Sequence, residues 1–360
     1  MILSELQLVN FRNYKKRSFN FGDTINIFVG KNGVGKTNIL EAIYVLGLTK
    51  SYKNVYSESL IHFGSESFKI KGLFKKEKLH HEMMINLSKK GKKAFYNKTQ
   101  IKRLANYIGL FKVIMYAPTD NDIIRDAPSL RRNLIDTSIS QVSSKYLNTL
   151  NEYNHLIKLK NDYLKELSIN GNADINYLKI LNRQIASRMV IIYQVRLEYL
   201  DRINELMKEI APFITIGSNI QIEYKASIEG DLLNEEYLYK YLNKIYQKEM
   251  RIGSSLYGPH RDDLIFLFNN LEMKLYSSQG EQKLALLAYK LAECEYIKSI
   301  YNYYPALLLD DLFSEIDKTR LNKIINYLNK KDQIQVFISS NDTIKISKKL
   351  LNKAKVEEIY

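Results

Sequence analysis

Tryptophan is absent from this 360-residue chain, and cysteine occurs once, as Cys294. A single thiol excludes an internal disulfide framework and a cysteine zinc site, and it suits a reducing cytoplasm. Long hydrophobic runs are also missing: no stretch approaches the roughly 20 apolar residues of a membrane span. The N-terminus, MILSELQLVNF, lacks the plan of a signal peptide. These absences point to a cytoplasmic protein with no membrane partner. Negative charge is scarce as well, with 54 Lys+Arg against 39 Asp+Glu and a formal net charge of +15. An excess of that sign favours a polyanionic partner such as DNA. The 27 tyrosines, with abundant Lys, Asn and Ile, reflect a compositional bias, so the distribution of charge says more than its total.

What is present begins with that distribution. Between Lys69 and Arg103 stand twelve Lys/Arg against two acidic residues, Glu77 and Glu82, a net of +10. Runs such as FKIKGLF and HHEMMINL, joined through SKKGKK, predict an antiparallel β-layer over 66–118. The lysines at its turn, Lys89, Lys90, Lys92 and Lys93, with Phe95 and Tyr96 following, form a candidate surface for a DNA phosphate backbone. The apolar content of 45% is enough for a substantial core.

LSELQLVNF and INIFVG read as strands, the second running into a glycine-rich turn and then a helix over 36–48. From about 129 to 210 the pattern is helical. Leu178, Ile185, Ile192, Tyr199 and Leu206 fall seven apart, with Leu181, Val195 and Ile203 beside them and Arg188 and Arg202 interrupting the face. SINGNAD (168–174) predicts a turn between two long helices, and Pro212 predicts the end of the second. At 1.5 Å per residue such an arm would be about 50 Å long if it projects, the alternative being a helical bundle packed flat on the body. Beyond it, NIQIEYKASIE, GPHRDDLIFLF, PALLLDD and QIQVFISSND alternate with helical runs, the pattern of a parallel sheet. The expected organisation is thus an α/β ATPase head split into 1–118 and 214–360 around a helical insertion, 119–213.

GKNGVGKT, Gly30 to Thr37, fits the phosphate-loop pattern in the right context, a strand before and a helix after. Its glycines let backbone N–H groups close around phosphates without interference from Cβ atoms. Lys36 reaches the β/γ oxygens, and the Thr37 hydroxyl is a Mg²⁺ ligand. ALLLDD ends an apolar strand in two carboxylates: Asp310 for the Mg²⁺ shell, and Asp311 to orient or deprotonate an attacking water. The long gap from Lys36 to Asp310 argues for a large insertion. NKKD (329–332) matches a guanine-reading string but precedes its strand instead of following one, so it is not read as GTP specificity. SSQGEQK (277–283) starts a helix, with Ser278 as N-cap and Gly280 permitting close backbone approach, and a helix start of that kind favours an anion.

In this order, GKNGVGKT, SSQGEQK, ALLLDD and SEID (314–317) resemble the ATP-binding-cassette class of ATPase, with SSQGEQK in the place of the signature sequence. More narrowly, LVNFRNY, GPHRDDL (258–264), SSQGEQK and LLLDDLFSEID are similar to the RecF family of bacterial recombination mediators. The resemblance spans both ends of the chain and is weakest over 140–250. It implies ATP and Mg²⁺ as ligands, contacts to ATP from Gly30, Lys31, Asn32, Gly33, Val34, Gly35, Lys36, Thr37 and Asn38, Mg²⁺ at Thr37 and Asp310, and a contact from the Ser278–Gly280 stretch, through Ser278, across a homodimer. It places Asp317 at the dimer seam and implies slow hydrolysis regulating DNA binding, with RecR, RecO and RecA as partners at gapped DNA. Two departures stand out: the residue after Asp310 is aspartate, not glutamate, and SSND (339–342) carries no phosphate-sensing histidine. Arg12 is a candidate either for approach to the nucleotide or for a plain strand-end surface position, and His260 and Arg261 either touch DNA or brace the fold, with bracing the preferred reading. A transporter subunit would need a compact helical subdomain soon after the phosphate loop, and a chromosome-organising protein hundreds of coiled-coil residues. The chain has neither.

Overall fold

A computed structural model describes residues 2–53, 55–76, 79–170, 174–214, 219–312, 316, 318–331, 334–341 and 354–360. They form two compact units: Met1–Asp122, Glu205–Ile220 and Ser277–Tyr360 in one, Ile123–Asn204 and Gln221–Tyr276 in the other.

The first unit holds two sheets. Strands β1 (Ile2–Phe11) and β2 (Tyr14–Asn20) pair antiparallel, and β1 pairs antiparallel with β4 (Ser67–Lys76). β5 (Leu79–Ser88), β6 (Gly91–Tyr96) and β7 (Thr99–Ile101) continue this sheet in the order β2-β1-β4-β5-β6-β7. The second sheet, β14-β3-β13-β12-β8, is parallel throughout. It is built from β3 (Ile25–Val29), β8 (Val113–Tyr116), β12 (Ala306–Leu309), β13 (Val336–Ser340) and β14 (Ala354–Glu358). Its inner strands are apolar and buried on both faces, as a parallel sheet requires. Val113–Tyr116 therefore leaves the antiparallel layer predicted for 66–118 and joins the parallel one. Helix α1 (Lys36–Leu48) lies between the two sheets. Eleven of its 13 residues are buried, so its sequence shows little amphipathic periodicity.

The second unit carries the insertion. The short helix α2 (Asp122–Arg125) leads into α3 (Pro128–Val142), α4 (Ser144–Asn170) and α5 (Ile175–Ile214). After α5 come β9 (Ile220–Lys225), α6 (Glu235–Lys244), α7 (Tyr246–Ile252), β10 (Asp263–Phe268), β11 (Leu271–Glu272) and α8 (Met273–Tyr276). The chain re-enters the first unit with α9 (Gln279–Tyr301), and α10 (Lys318–Asn329) follows β12.

Several expectations change here. β9 and β10 do not join the parallel sheet; with β11 they form a separate three-stranded sheet. The burial of β10 alternates along the strand, as in a sheet covered on one face only. Residues 221–276 thus cluster with the helices instead of with the C-terminal part of the head. Pro212 does not end its helix: α5 runs on to Ile214. Proline's fixed φ is helical, and Lys208, whose carbonyl loses its usual donor four residues on, is an exposed residue.

The buried seam of α5 contains the predicted face and is wider than it. Leu178, Ile185, Ile192, Tyr199 and Leu206 are buried, as are the flanking Leu181 and Ile203, and Asn182, Met189 and Arg196 join them to complete a 4,3 spacing. Arg188 reaches outward to Glu152 at 3.2 Å, and Arg202 is exposed, so neither breaks the seam. Arg196, which the heptad reading passed over, sits in it at 1% exposure.

Candidate nucleotide site and basic face

The loop after β3 owes its form to two glycines. Gly35, the N-cap of α1, has φ +114, and a Cβ there would lie 2.5 Å from Asn13 Nδ2. At Gly30 a Cβ would meet the Ile359 carbonyl at 2.2 Å, so the loop's base closes against the last residues of the edge strand. Asn13 Nδ2 donates to the Val34 carbonyl at 3.0 Å, Asn38 Nδ2 donates to Asn13 Oδ1 at 2.9 Å, and the Tyr14 hydroxyl donates to the Gly35 carbonyl at 3.2 Å. Lys36 Nζ donates to the carbonyls of Gly30 and Lys31, each at 2.7 Å. Burial lowers the Lys36 pKa, against the opposing pull of Asp311 and Asp310.

Across the cleft stands Asp310, 5% exposed at the end of β12. Its Oδ1 accepts from Thr37 Oγ1 at 2.9 Å and from Ser339 Oγ at 2.5 Å, and its Oδ2 accepts from the Tyr52 hydroxyl at 3.2 Å. Burial, then Asp310 and Glu41, push the Tyr52 pKa up, so the phenol remains a donor. Asp311, at φ +49, donates its backbone N–H to Ser339 Oγ at 2.9 Å. The cleft, about 170 Å³, is lined by Asn32, Gly33, Gly35, Lys36, Thr37, Asn38, Asp310, Asp311, Ser339 and Asn341. The structure thus brings Thr37 to Asp310 across 273 positions of sequence. Val34 packs against the core, and Gly30 and Lys31 turn their carbonyls to Lys36.

Ser278 and Gly280 do not line this cleft. Both are exposed at the start of α9, where Ser278 and Glu281 form a reciprocal capping box. A Cβ on Gly280 would meet nothing within 4 Å. Asp317 lies outside the described residues, as do parts of the SINGNAD, SSND and NKKD stretches.

Arg12 does not reach the cleft. Its guanidinium grips Glu41 of α1 with both branches, at 2.9 and 2.8 Å, and donates to the Ser59 carbonyl. His260 braces its unit: Nδ1 meets the Tyr153 hydroxyl at 2.6 Å, and burial, then Arg261, lower its pKa to about 4. Arg261 donates to the Ser255 carbonyl. Cys294 is buried, and its thiol pKa is raised by that burial. At the basic turn Lys90 and Lys93 are exposed and Lys89 pairs with Glu66 at 2.8 Å, both side chains about four-fifths exposed. Lys92 turns inward, its Nζ donating to the Thr49 carbonyl, with its pKa lowered by burial.

Sequence reading missed Asn13, Tyr14, Tyr52, Ser339 and Asn341. NFRNY carried the first two as an unassigned motif, and the strand-end SSND carried Ser339 and Asn341. Tyr52, one of 27 tyrosines, had no local signal.

A phosphate loop facing a strand-end carboxylate, in an α/β head that pairs a parallel with an antiparallel sheet and carries a long helical insertion, defines an ATPase head of the cassette and SMC type. The family model for the RecF/RecN/SMC N terminal domain matches residues 2–358. The chain belongs to the RecF family: it is 37% identical over 360 residues to the DNA replication and repair protein RecF of Macrococcus caseolyticus (strain JCSC5402), covering 99% of this chain and 97% of that one. Two solved structures of the recombination mediator protein RecF in the RecFOR pathway are similar throughout. The one described as RecF-ATPrS has a TM-score of 0.89 at 28% identity, covering 99% of this chain and 96% of its own. The one described as RecF-ATP has a TM-score of 0.88 at 29% identity, covering 96% and 93%.

Proposed function

We propose that this chain is an ATP-dependent DNA-binding protein of recombinational repair and replication restart. The observation that carries the reading is the meeting of Thr37 Oγ1 with Asp310 Oδ1 at the mouth of the phosphate loop. Two hard oxygen donors from different motifs suit Mg²⁺, and the N-terminus of α1 behind Gly33 and Gly35 suits a polyphosphate. Thr37 and Asp310 would hold Mg²⁺, which when bound neutralises charge developing on the phosphate oxygens. Gly30 to Asn38 would hold ATP, with Lys36 directed at its β/γ-phosphates. Asp311 would orient the attacking water, and its short side chain accounts for the slow hydrolysis we assign.

The cap of α9 supports a trans role for Ser278. It is exposed, sits on a helix N-terminus and lies apart from its own chain's cleft. In this reading Ser278 contacts the γ-phosphate held by a second copy, so ATP drives homodimerisation. The dimer grips gapped DNA and, with RecR and RecO, helps load RecA, in keeping with the RecFOR pathway named for the two similar structures. Hydrolysis, stimulated by DNA, releases the grip.

Sedimentation of the full chain with and without ATP and gapped duplex tests this. A monomer that becomes a dimer with ATP and co-sediments with gapped DNA is expected. A chain that stays monomeric with ATP and leaves DNA free overturns the reading.

A further inference from the structure

Beside the basic turn, Phe63 is 98% exposed. The loop that carries it is firmly built. Ile61 bridges to Phe11, His62 N–H donates to the Asn10 carbonyl at 2.8 Å, and His62 Nδ1 meets the Arg12 carbonyl at 2.7 Å. Ser65 N–H closes a turn on the His62 carbonyl at 2.9 Å, with Gly64 at φ +79. Phe63 therefore occupies position i+1 of a turn whose i+2 glycine supplies the positive φ. The backbone is pinned on both sides of the ring, and the ring stands in water.

A cleft of about 470 Å³ opens here, between the loop Ile61–Glu66 and the turn Ser88–Gly91. Ile61, Phe63 and Leu87 supply its apolar wall, while Glu58 and Glu66 supply carboxylates. The carboxylates repel phosphate from inside the cleft, and Lys89 and Lys90, on the turn that borders it, attract phosphate at its rim. A neutral planar group joined to a phosphate chain satisfies both conditions. The Glu66–Lys89 pair is so exposed that it holds Lys89 weakly and leaves it ready to exchange onto phosphate.

We infer that Phe63 is a stacking platform for an unpaired base of single-stranded DNA, whose flanking phosphates run along Lys89 and Lys90 of the turn. The inference rests on the DNA-binding reading above and deepens it, since it assigns the single-stranded side of a gap to one ring. Stacking on an aromatic face is sequence-tolerant, because every base has a π-face. Base pairs in an intact duplex are already stacked, so the ring discriminates single strand from duplex.

The test is anisotropy of the full chain with ATP on an oligo-dT strand, a gapped duplex and a blunt duplex, across a salt series. Phe63→Ala is expected to weaken the single strand and gapped duplex about tenfold. The blunt duplex and the log–log salt slope are unchanged, because no charge is removed, and Phe63→Trp retains affinity. Lys89→Ala/Lys90→Ala lowers affinity for all three DNAs and reduces the slope by about 0.7–0.9 per lost contact. The inference is overturned if Phe63→Ala leaves single-strand affinity intact, or weakens blunt duplex equally. It is equally overturned if the substitution abolishes only dimerisation or a protein contact, which would make the ring a protein anchor. Failure of the unsubstituted chain to bind any of the DNAs instead removes the DNA reading itself.

Discussion

Asp310 is held by three hydroxyls, from Thr37, Ser339 and Tyr52, each on a different element of the head. A carboxylate fixed this way is oriented before any ligand arrives, which cuts the ordering cost of binding. Asp310→Asn keeps the shape and the two bonds accepted at Oδ1, reverses the one from Tyr52 and removes the charge, so Mg²⁺-dependent ATP turnover is expected to fall by about a hundredfold or more, with the melting temperature little changed. A turnover assay beside a thermal melt checks both. Asn13 braces the phosphate loop from outside the motif. Asn13→Ala removes its bonds to Val34 and Asn38 and should weaken ATP by about 1 kcal/mol, roughly fivefold, read by nucleotide titration. These partners escaped the sequence because a hydroxyl or amide on a distant strand leaves no local pattern. The loop itself was legible, since its glycines and Lys36 act through adjacent backbone.

Helix α5 shows what a periodic pattern does and does not reveal. Its heptad period is readable in the apolar residues, but Asn182 and Arg196, which complete the seam, are polar and leave no apolar signal. Arg196 is buried by its bonds to Asp136, Tyr146, Tyr224 and the Pro259 carbonyl. Burial opposes its charge, and Asp136 with the two tyrosines outweighs that and raises its pKa. Arg196→Met strands Asp136 and should cost about 3–5 kcal/mol, with Asp136→Asn/Arg196→Met costing less than the sum of the singles in chemical denaturation. His260 gives the same unit a pH dependence. Its imidazole stays neutral in the fold down to about pH 4, whereas the unfolded chain takes up the proton near 6.5. The unfolded state binds more protons between those values, so stability is full above pH 6.5 and is lost as pH falls toward 4, by at most about 1.4 kcal/mol per unit. Denaturation at several pH values should show this slope, and His260→Gln should remove it.

At the scale of the whole molecule the question is whether two anion sites act as one. Ser278→Arg is expected to leave ATP affinity of the monomer unchanged while abolishing the ATP-dependent dimer in sedimentation. Lys36→Ala loses both. Equal loss of nucleotide affinity in the two variants would place Ser278 in its own chain's site and end the trans reading. The sequence alone determined the phosphate loop, the capped start of α9, the carboxylate strand and the basic turn, because each is made by neighbours along the chain. Tertiary structure alone decided that Thr37 meets Asp310, that β9 and β10 leave the parallel sheet, that Lys92 folds inward and that Phe63 stands out beside the lysines. Each of those depends on which distant segments pack together, and packing is set by burial on faces that no single stretch of sequence contains.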